Sequence, residues 1–300
     1  MFIFTYSLCF TMINPRYRAF SVAAYEKSLS HAAEILNYSP SGVSQLISAL
    51  EKEFGFPLFE RSKNGLTLTN NGEAVLPVIR EILNQEENLQ QIISGIHGLS
   101  VGAINIGAYS SIASHWLPSL INMFNNSYPG IKINMMEGIH QKCEDWLNNR
   151  TVDLAFFSYK KNMNYDWIPL ADDMMVAVLP KDHPRASDKS YPIREAAKES
   201  FIMPAQGHDD DVIALLKRYR IQPKIAYSTL ENFAALALIE QGLGMSIMND
   251  LITHNYKCDV VKLPLDPPES IKLGIAVPSL ENASPAVKRF IEFAKQKFSA

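Results

Sequence analysis

The sequence predicts an α/β protein in three parts: an N-terminal helix-turn-helix with a β-wing, one long helix, and a larger region in which strands and helices alternate. Three observations carry that reading. Two short helical runs meet at a tight break within Ser30–Glu51, and two β-prone runs flank Asn64-Gly65. Beyond a small-residue stretch at 94–102, strand-like and helix-like apolar patterns follow one another to the end of the chain.

The first helical run places Ala32, Ala33 and Leu36 on its inner face, where small side chains let a second helix cross closely. Asn37, Tyr38, Ser39 and Pro40 break the pattern. Ser39 suits an N-cap, and Pro40 suits the first helical position, where a missing N–H costs nothing. Val43, Leu46, Ile47, Leu50 and Phe54 then recur at helical spacing as a buried stripe, with Ser41, Ser44, Gln45, Ser48 and Lys52 opposite. A solvated helix face is ordinarily rich in Glu and Lys. Here most side chains are short and uncharged, which suits a helix lying in a DNA major groove. Phe59–Thr69 follows as two β runs around Asn64-Gly65, the pair that best tolerates a type I′ turn. A hairpin in that place is a wing, and its cations Arg61 and Lys63 are positioned for phosphates or a minor groove.

Asn70-Asn-Gly-Glu73 reads as a helix start with Glu73 as the return half of a capping box. The helix beyond carries Val75, Ile79, Ile82, Glu86, Leu89, Ile93 and Ile96 at alternating spacings of four and three. That is a heptad seam with one polar breach at Glu86, hence a dimerisation surface. Pro77 removes one hydrogen bond and predicts a slight bend.

Ser94-Gly95, Gly98 and Ser100-Val-Gly102 then form a hinge. Strands at Ala103–Tyr109, Ile131–Glu137 and Val152–Ser158 alternate with helices at Trp116–Asn125 and Gln141–Asn149, which calls for a mostly parallel sheet. A second run opens at Met174–Pro180, with helices near Ile193–Ala197, Asp211–Arg220 and Asn232–Gln241 and strands near Phe201, Ile225 and Met245. Ile271–Val277 and Pro285–Phe298 give a last strand and helix without an obvious partner in the sequence. Gly242 and Gly244 read as turn glycines, because no second half of a dinucleotide fingerprint accompanies them.

Phe20, Leu29-Ser30, Ala32-Ala33, Leu36, Ser39, Val43-Ser44, Ile47, Leu50-Glu51, Gly55, Leu58-Phe59, Arg61, Leu68-Thr69 and Gly72 make the N-terminal region resemble the LysR-type transcriptional regulators. Asp153–Phe156, Lys181–Pro184 and Gln241–Met245 extend the likeness more loosely along the chain. The resemblance implies a winged helix-turn-helix at 12–72, a dimerising linker helix at 73–98, and a two-lobed α/β effector-binding domain of periplasmic-binding-protein type at 99–300. One lobe would comprise about 99–172 and 271–300, the other about 173–270. The implied partners are a double-stranded DNA operator with inverted-repeat half-sites, a small-molecule effector, further copies of the chain as dimer or tetramer, and RNA polymerase. No cofactor, metal or catalytic residue is implied. Ser39, Pro40, Ser41, Ser44, Gln45, Ser48, Arg61, Lys63 and Asn64 become candidate DNA-binding residues. Gln45 stands where the family often has Arg, and Asn64 where the wing often carries a base. Gln prefers the N6/N7 edge of adenine, so an A·T-leaning contact is expected there.

In a two-lobed α/β domain, ligands bind in the cleft outside the carboxyl ends of the strands. Ser110-Ser111 and Ser228-Thr229 present hydroxyls and backbone N–H groups beside a helix start, which favours a carboxylate or other small anion. Phe157, Met203 and Gln206 are candidate walls. His208 beside Asp209 reads as a surface turn.

Composition bounds the alternatives. With 300 residues and 47% hydrophobic content, the chain can bury more than one core. A formal net charge of −3 argues against strong non-specific DNA binding, and the cations of the N-terminal module are matched by Glu26, Glu34, Glu51, Glu53 and Glu60. A multimer is therefore expected for useful affinity. Cys9, Cys143 and Cys258 are far apart and match no metal-ligand spacing, which suits a reducing cytoplasm. Residues 1–11 are apolar but too short to span a bilayer, and read either as a dispensable extension or as a start-codon artefact before Met12. An enzyme is the first rival, yet the sequence has no Gly-x-Ser-x-Gly elbow and no His-Glu-x-x-His. An exported two-lobed solute receptor is the second; it leaves the N-terminal module without a purpose.

Overall fold

The computed structural model describes residues 14–62, 65–96, 102–254 and 257–298; the extension at 1–11, Cys9 included, lies outside them. The chain divides into two compact units, Met1–Gly102 with Asn148–Thr151, and Ala103–Leu147 with Val152–Ala300.

The first unit contains α1 (Pro15–Glu26), α2 (Leu29–Leu36), α3 (Pro40–Phe54), β1 (Phe59–Ser62), β2 (Gly65–Leu68) and α4 (Asn70–Ile96). Ser39 caps α3 by accepting from Gly42 N at 3.1 Å, and Pro40 fills its first position, as local chemistry requires. Gly55 ends the helix at φ 80, a left-handed conformation in which a Cβ is strained. Ala19, Ala23, Ala32 and Ala33 let the first three helices approach closely around Val43 and Ile47. Glu51 Oε1 accepts from Leu58 N at 2.7 Å and Phe59 N at 3.3 Å, tying α3 to the entry of the wing. In the wing Ser62 pairs with Gly65, so Gly65 belongs to the strand. Lys63 and Asn64 lie outside the described residues.

The start of α4 differs from the expectation. Thr69, not Asn70, is the cap: its Oγ1 accepts from Gly72 N at 3.0 Å and donates to Pro57 O at 2.8 Å. Glu73 then falls one residue too late for a capping box. Gly72 is required by close approach, since a Cβ there would stand 2.2 Å from Leu58 O.

Two residues of the expected seam are already covered within the unit. Ile79 is buried with Phe20, Leu50, Leu58 and Leu76, and Val75 packs against that cluster. Among the described side chains of α4 the large exposed apolar ones are Val78, Ile82, Leu89 and Ile92, while Ile93 is half-buried. The side chain of Ile96 lies outside those described. A 3.6-residue period gives the first turns of α4 an apolar face, and the winged module beside them covers it.

The second unit comprises β3 (Gly102–Ala108), α5 (Ser110–His115), α6 (Leu117–Ser127), β4 (Ile131–Glu137), α7 (His140–Asn148), β5 (Leu154–Ser158), β6 (Asp166–Pro180), β7 (Tyr191–Pro192) and β8 (Ser200–Met203). It continues with α8 (Asp210–Tyr219), β9 (Lys224–Ser228), α9 (Asn232–Glu240), β10 (Ser246–Asn249), α10 (Asp250–Thr253), β11 (Val260–Asp266), β12 (Ser270–Val277) and α11 (Pro285–Phe298). The main sheet runs β4-β3-β5-β12-β6-β11-β7, with β10 also on β6, and β8 pairs with β9 separately.

This sheet is mixed rather than mostly parallel. β3 and β5 are parallel, but β12 is antiparallel to both β5 and β6, and β10 and β11 are antiparallel to β6. The reason is β6 itself. It pairs with β12 up to Met174 and with β10 from Met175, so one strand leaves the first lobe and enters the second. The chain returns along β12, which must therefore run the opposite way. The helix expected over Trp116–Asn125 is α6, and a further short helix, α5, precedes it, the two separated at Trp116 ahead of Pro118. Residues 193–197 form a 3₁₀ turn.

Each lobe has its own core. Ile104, Ile106, Leu120, Phe124, Phe156 and Phe290 pack in the first, where α11 returns to set Phe290 5.1 Å from Phe124, ring to ring. Phe201, Met203, Leu215, Met245 and Ile247 pack in the second. Among the described residues no helix is long and apolar enough to cross a membrane.

Candidate DNA-reading face and inter-lobe cleft

The exposed side of α3 carries Pro40, Ser41, Gln45 and Ser48, with Ser44 half-buried between them. Val43, Ile47 and Leu50 hold the other side in the core, so the helix cannot rotate without exposing them. Ser39 is exposed, but its hydroxyl serves the cap and lies 3.0 Å from Ser41 Oγ. It shapes the face rather than extending it. Arg61 is on β1, and its side chain lies outside those described.

In the second unit a cavity of about 370 Å³ opens between the lobes, within the usual range of roughly 300–1,000 Å³ for small-molecule sites. The first lobe contributes Tyr109, Ser110, Ser111, Glu137 and His140; the second contributes Asp209, Asp210, Asp211, Glu231 and Asn232. Gly138 lies in the same wall, where a Cβ would stand 2.8 Å from the Trp146 ring.

The lobes meet at one edge of this cavity through a buried polar contact. Ser158 Oγ donates to Asp211 Oδ1 at 2.8 Å, and Tyr109 OH stands 3.0 Å from Ser158 Oγ, 3.1 Å from His140 Nδ1 and 3.4 Å from Asp211 Oδ2. Lys160 pairs with Asp210 beside them. Burial drives the titrations here. It holds the Tyr109 phenol well above its ordinary range and, aided by the charge of Lys160, pushes His140 down to about 4, leaving the imidazole neutral at pH 7. Burial also raises the Asp211 carboxyl, against the hydrogen bond from Ser158. Asp209 caps α8 by accepting from Asp211 N and Val212 N, both at 3.1 Å, yet burial and the neighbouring aspartates push it up to about 6.

Of the expected effector contacts, Ser110 and Ser111 line the cavity. Phe157 does not: it is fully buried against Tyr109, His140 and Trp167. Met203 belongs to the core of the second lobe, and Gln206 and Ser228 are exposed outside the lining. Thr229 also lies outside the lining, although its Oγ1 is buried without a partner. His208 is an exposed turn residue that also borders the cavity. The sequence reading missed Asp209–Asp211. Three acids at a helix start look the same whether they face solvent or a second lobe.

Residues 16–73 match the bacterial regulatory helix-turn-helix protein model of the lysR family. Residues 97–299 match the LysR substrate binding domain, which by itself covers most of the chain. The chain belongs to the LysR family. It is thus a DNA-binding transcriptional regulator with an effector-binding domain. This LysR-family chain is 32% identical over 286 residues to the HTH-type transcriptional regulator YvbU of Bacillus subtilis, covering 94% of this chain and 98% of that one. A full-length OxyR variant from Pseudomonas aeruginosa shares its fold with a TM-score of 0.74 at 22% identity, covering 96% and 97% of the two chains. The effector binding domain of QuiR in complex with shikimate is 27% identical, with a TM-score of 0.59 over 67% of this chain and 98% of that one.

Proposed function

We propose that this regulator reads an operator with the exposed side of α3 and responds to a small molecule held between its lobes. The observation that carries the first half is the pairing of a fixed apolar side with a short, uncharged, exposed side at Pro40, Ser41, Gln45 and Ser48. Ser44, Arg61, Lys63 and Asn64 complete the proposed DNA contacts, by their places on α3 and the wing. The exposed stripe Val78, Ile82, Leu89 and Ile92 supports pairing of α4 with a second copy. Two copies place two reading helices on inverted half-sites, and a tetramer places four.

The cavity at Ser110 and Ser111 supports the second half, as does the ligand held by the relative QuiR. An effector acts by binding one arrangement of the lobes more tightly than another. Work on DNA with RNA polymerase puts the protein in the cytoplasm. The direct experiment is enrichment of sheared genomic DNA on the purified full-length protein, followed by sequencing. Recurrent fragments sharing an inverted repeat are expected. Enrichment no better than random genomic DNA overturns the reading.

A further inference from the structure

The helix starts of the second lobe that border the inter-lobe cavity are already supplied with negative charge by the protein. At α8 it comes from Asp209, Asp210 and Asp211, and at α9 from Glu231 at the N-cap position. In the first lobe the start of α5 belongs to a helix of six residues, too short for a strong dipole, while the start of α7, whose first turn holds no acid, brings His140 and Lys142 to the lining. Glu137 adds a fifth carboxylate, against one ammonium, Lys142, in the lining. His140 does not offset this, because burial keeps it neutral. It is 2% exposed, and its Nε2, 3.4 Å from Glu144 Oε1, makes no hydrogen bond. Glu137 on the first lobe and Glu231 on the second are exposed and have no ion-pair partner among the described residues.

From this balance we propose that the cavity selects an effector bearing an ammonium group, such as an aliphatic amine or diamine, over a carboxylate. The proposal rests on the reading of the cleft as the effector site and fixes the charge of what enters it. An anion would meet five carboxylates, of which Asp210 is already paired with Lys160, and Lys142 as the one cation in the lining. An ammonium would gain acceptors from both lobes, Glu137 on one and Glu231 on the other, and would so favour an arrangement that brings both to it. Shikimate, the ligand of QuiR, is a carboxylate, so this chain would depart from that relative in ligand class.

The test is calorimetric titration of the full-length protein with putrescine, with succinate as the oppositely charged probe of the same chain length. Putrescine is expected to bind and succinate not to. Joint replacement Glu137→Gln and Glu231→Gln should weaken putrescine by about tenfold or more. Charge reversal at both positions with Lys should shift the preference toward succinate. Preference of the unaltered protein for succinate, silence from both probes, or an unchanged putrescine affinity in the double variant overturns the proposal. A Ser110→Trp variant, which fills the cavity, separates the two levels. Succinate binding lost in that variant leaves the effector site standing with the wrong charge assigned. Binding of either probe that survives it lies outside the cleft and sinks the site reading as well.

Discussion

Asp209→Asn should stabilise the protein at neutral pH, and the structure sets both size and sign. The wild-type carboxyl is pushed from 3.8 to about 6 by burial, with Asp211 and Asp210 adding to the rise and the backbone bonds from Val212 and Asp211 opposing it. Ionising it in the folded protein is thus harder than in the unfolded chain, by about 3 kcal/mol at most. Asparagine caps a helix as well as aspartate and keeps an oxygen to accept from Asp211 N and Val212 N. It forgoes about 0.5 kcal/mol of charge–dipole attraction. The variant should therefore gain about 2 kcal/mol above pH 6. Because the folded carboxyl titrates above the unfolded one, wild-type Asp209 binds its proton first in the folded state. Its penalty fades as pH falls through 6 and is gone below about 4. Urea denaturation of both proteins across that range, followed by tryptophan fluorescence, measures the difference. A variant less stable than wild type near pH 8, or a difference that is the same near pH 8 and pH 4, refutes the reasoning.

Ser158→Ala removes the donor to Asp211 and leaves a buried carboxylate oxygen unsatisfied; a loss of about 1.5–3 kcal/mol is expected, read as a melting point several degrees lower, and an unchanged melting point would contradict the contact between lobes. Gly72→Ala drives a Cβ to 2.2 Å from Leu58 O and should destabilise the winged module by about 2 kcal/mol or more, checked by urea midpoint and protease susceptibility. Ile82→Asp, on the exposed stripe of α4, should give monomers in sedimentation without unfolding the module, whereas Ile79→Asp should unfold it; equal behaviour of the two would overturn the proposed pairing through the exposed stripe.

Much of the first unit was legible because its signals are local. Ser39, Pro40 and Gly55 act on neighbours within one turn, and the stripe Val43-Ile47-Leu50 needs only a helical period. The seam on α4 was half legible. Periodicity finds an apolar stripe but not what covers it, and the winged module had taken Val75 and Ile79. In the second unit, Asp166–Asp173 escaped the strand reading because Pro169 and the Asp172-Asp173 pair break the alternation. Its partner, β12, lies a hundred residues further on, so nothing nearby signals the pairing. The acidic character of the cleft escaped for a similar reason. Asp209, Asp210 and Asp211 read as an ordinary helix start until Tyr109 and Ser158 of the other lobe are placed against them.

The reading side of α3 is tested most directly through Gln45. On an enriched fragment with each base pair substituted in turn, wild type should prefer A·T at the position Gln45 faces, by about 1–3 kcal/mol. In Gln45→Ala that preference should vanish while the others persist. Should every base preference survive the substitution intact, some surface other than this side of α3 reads the DNA.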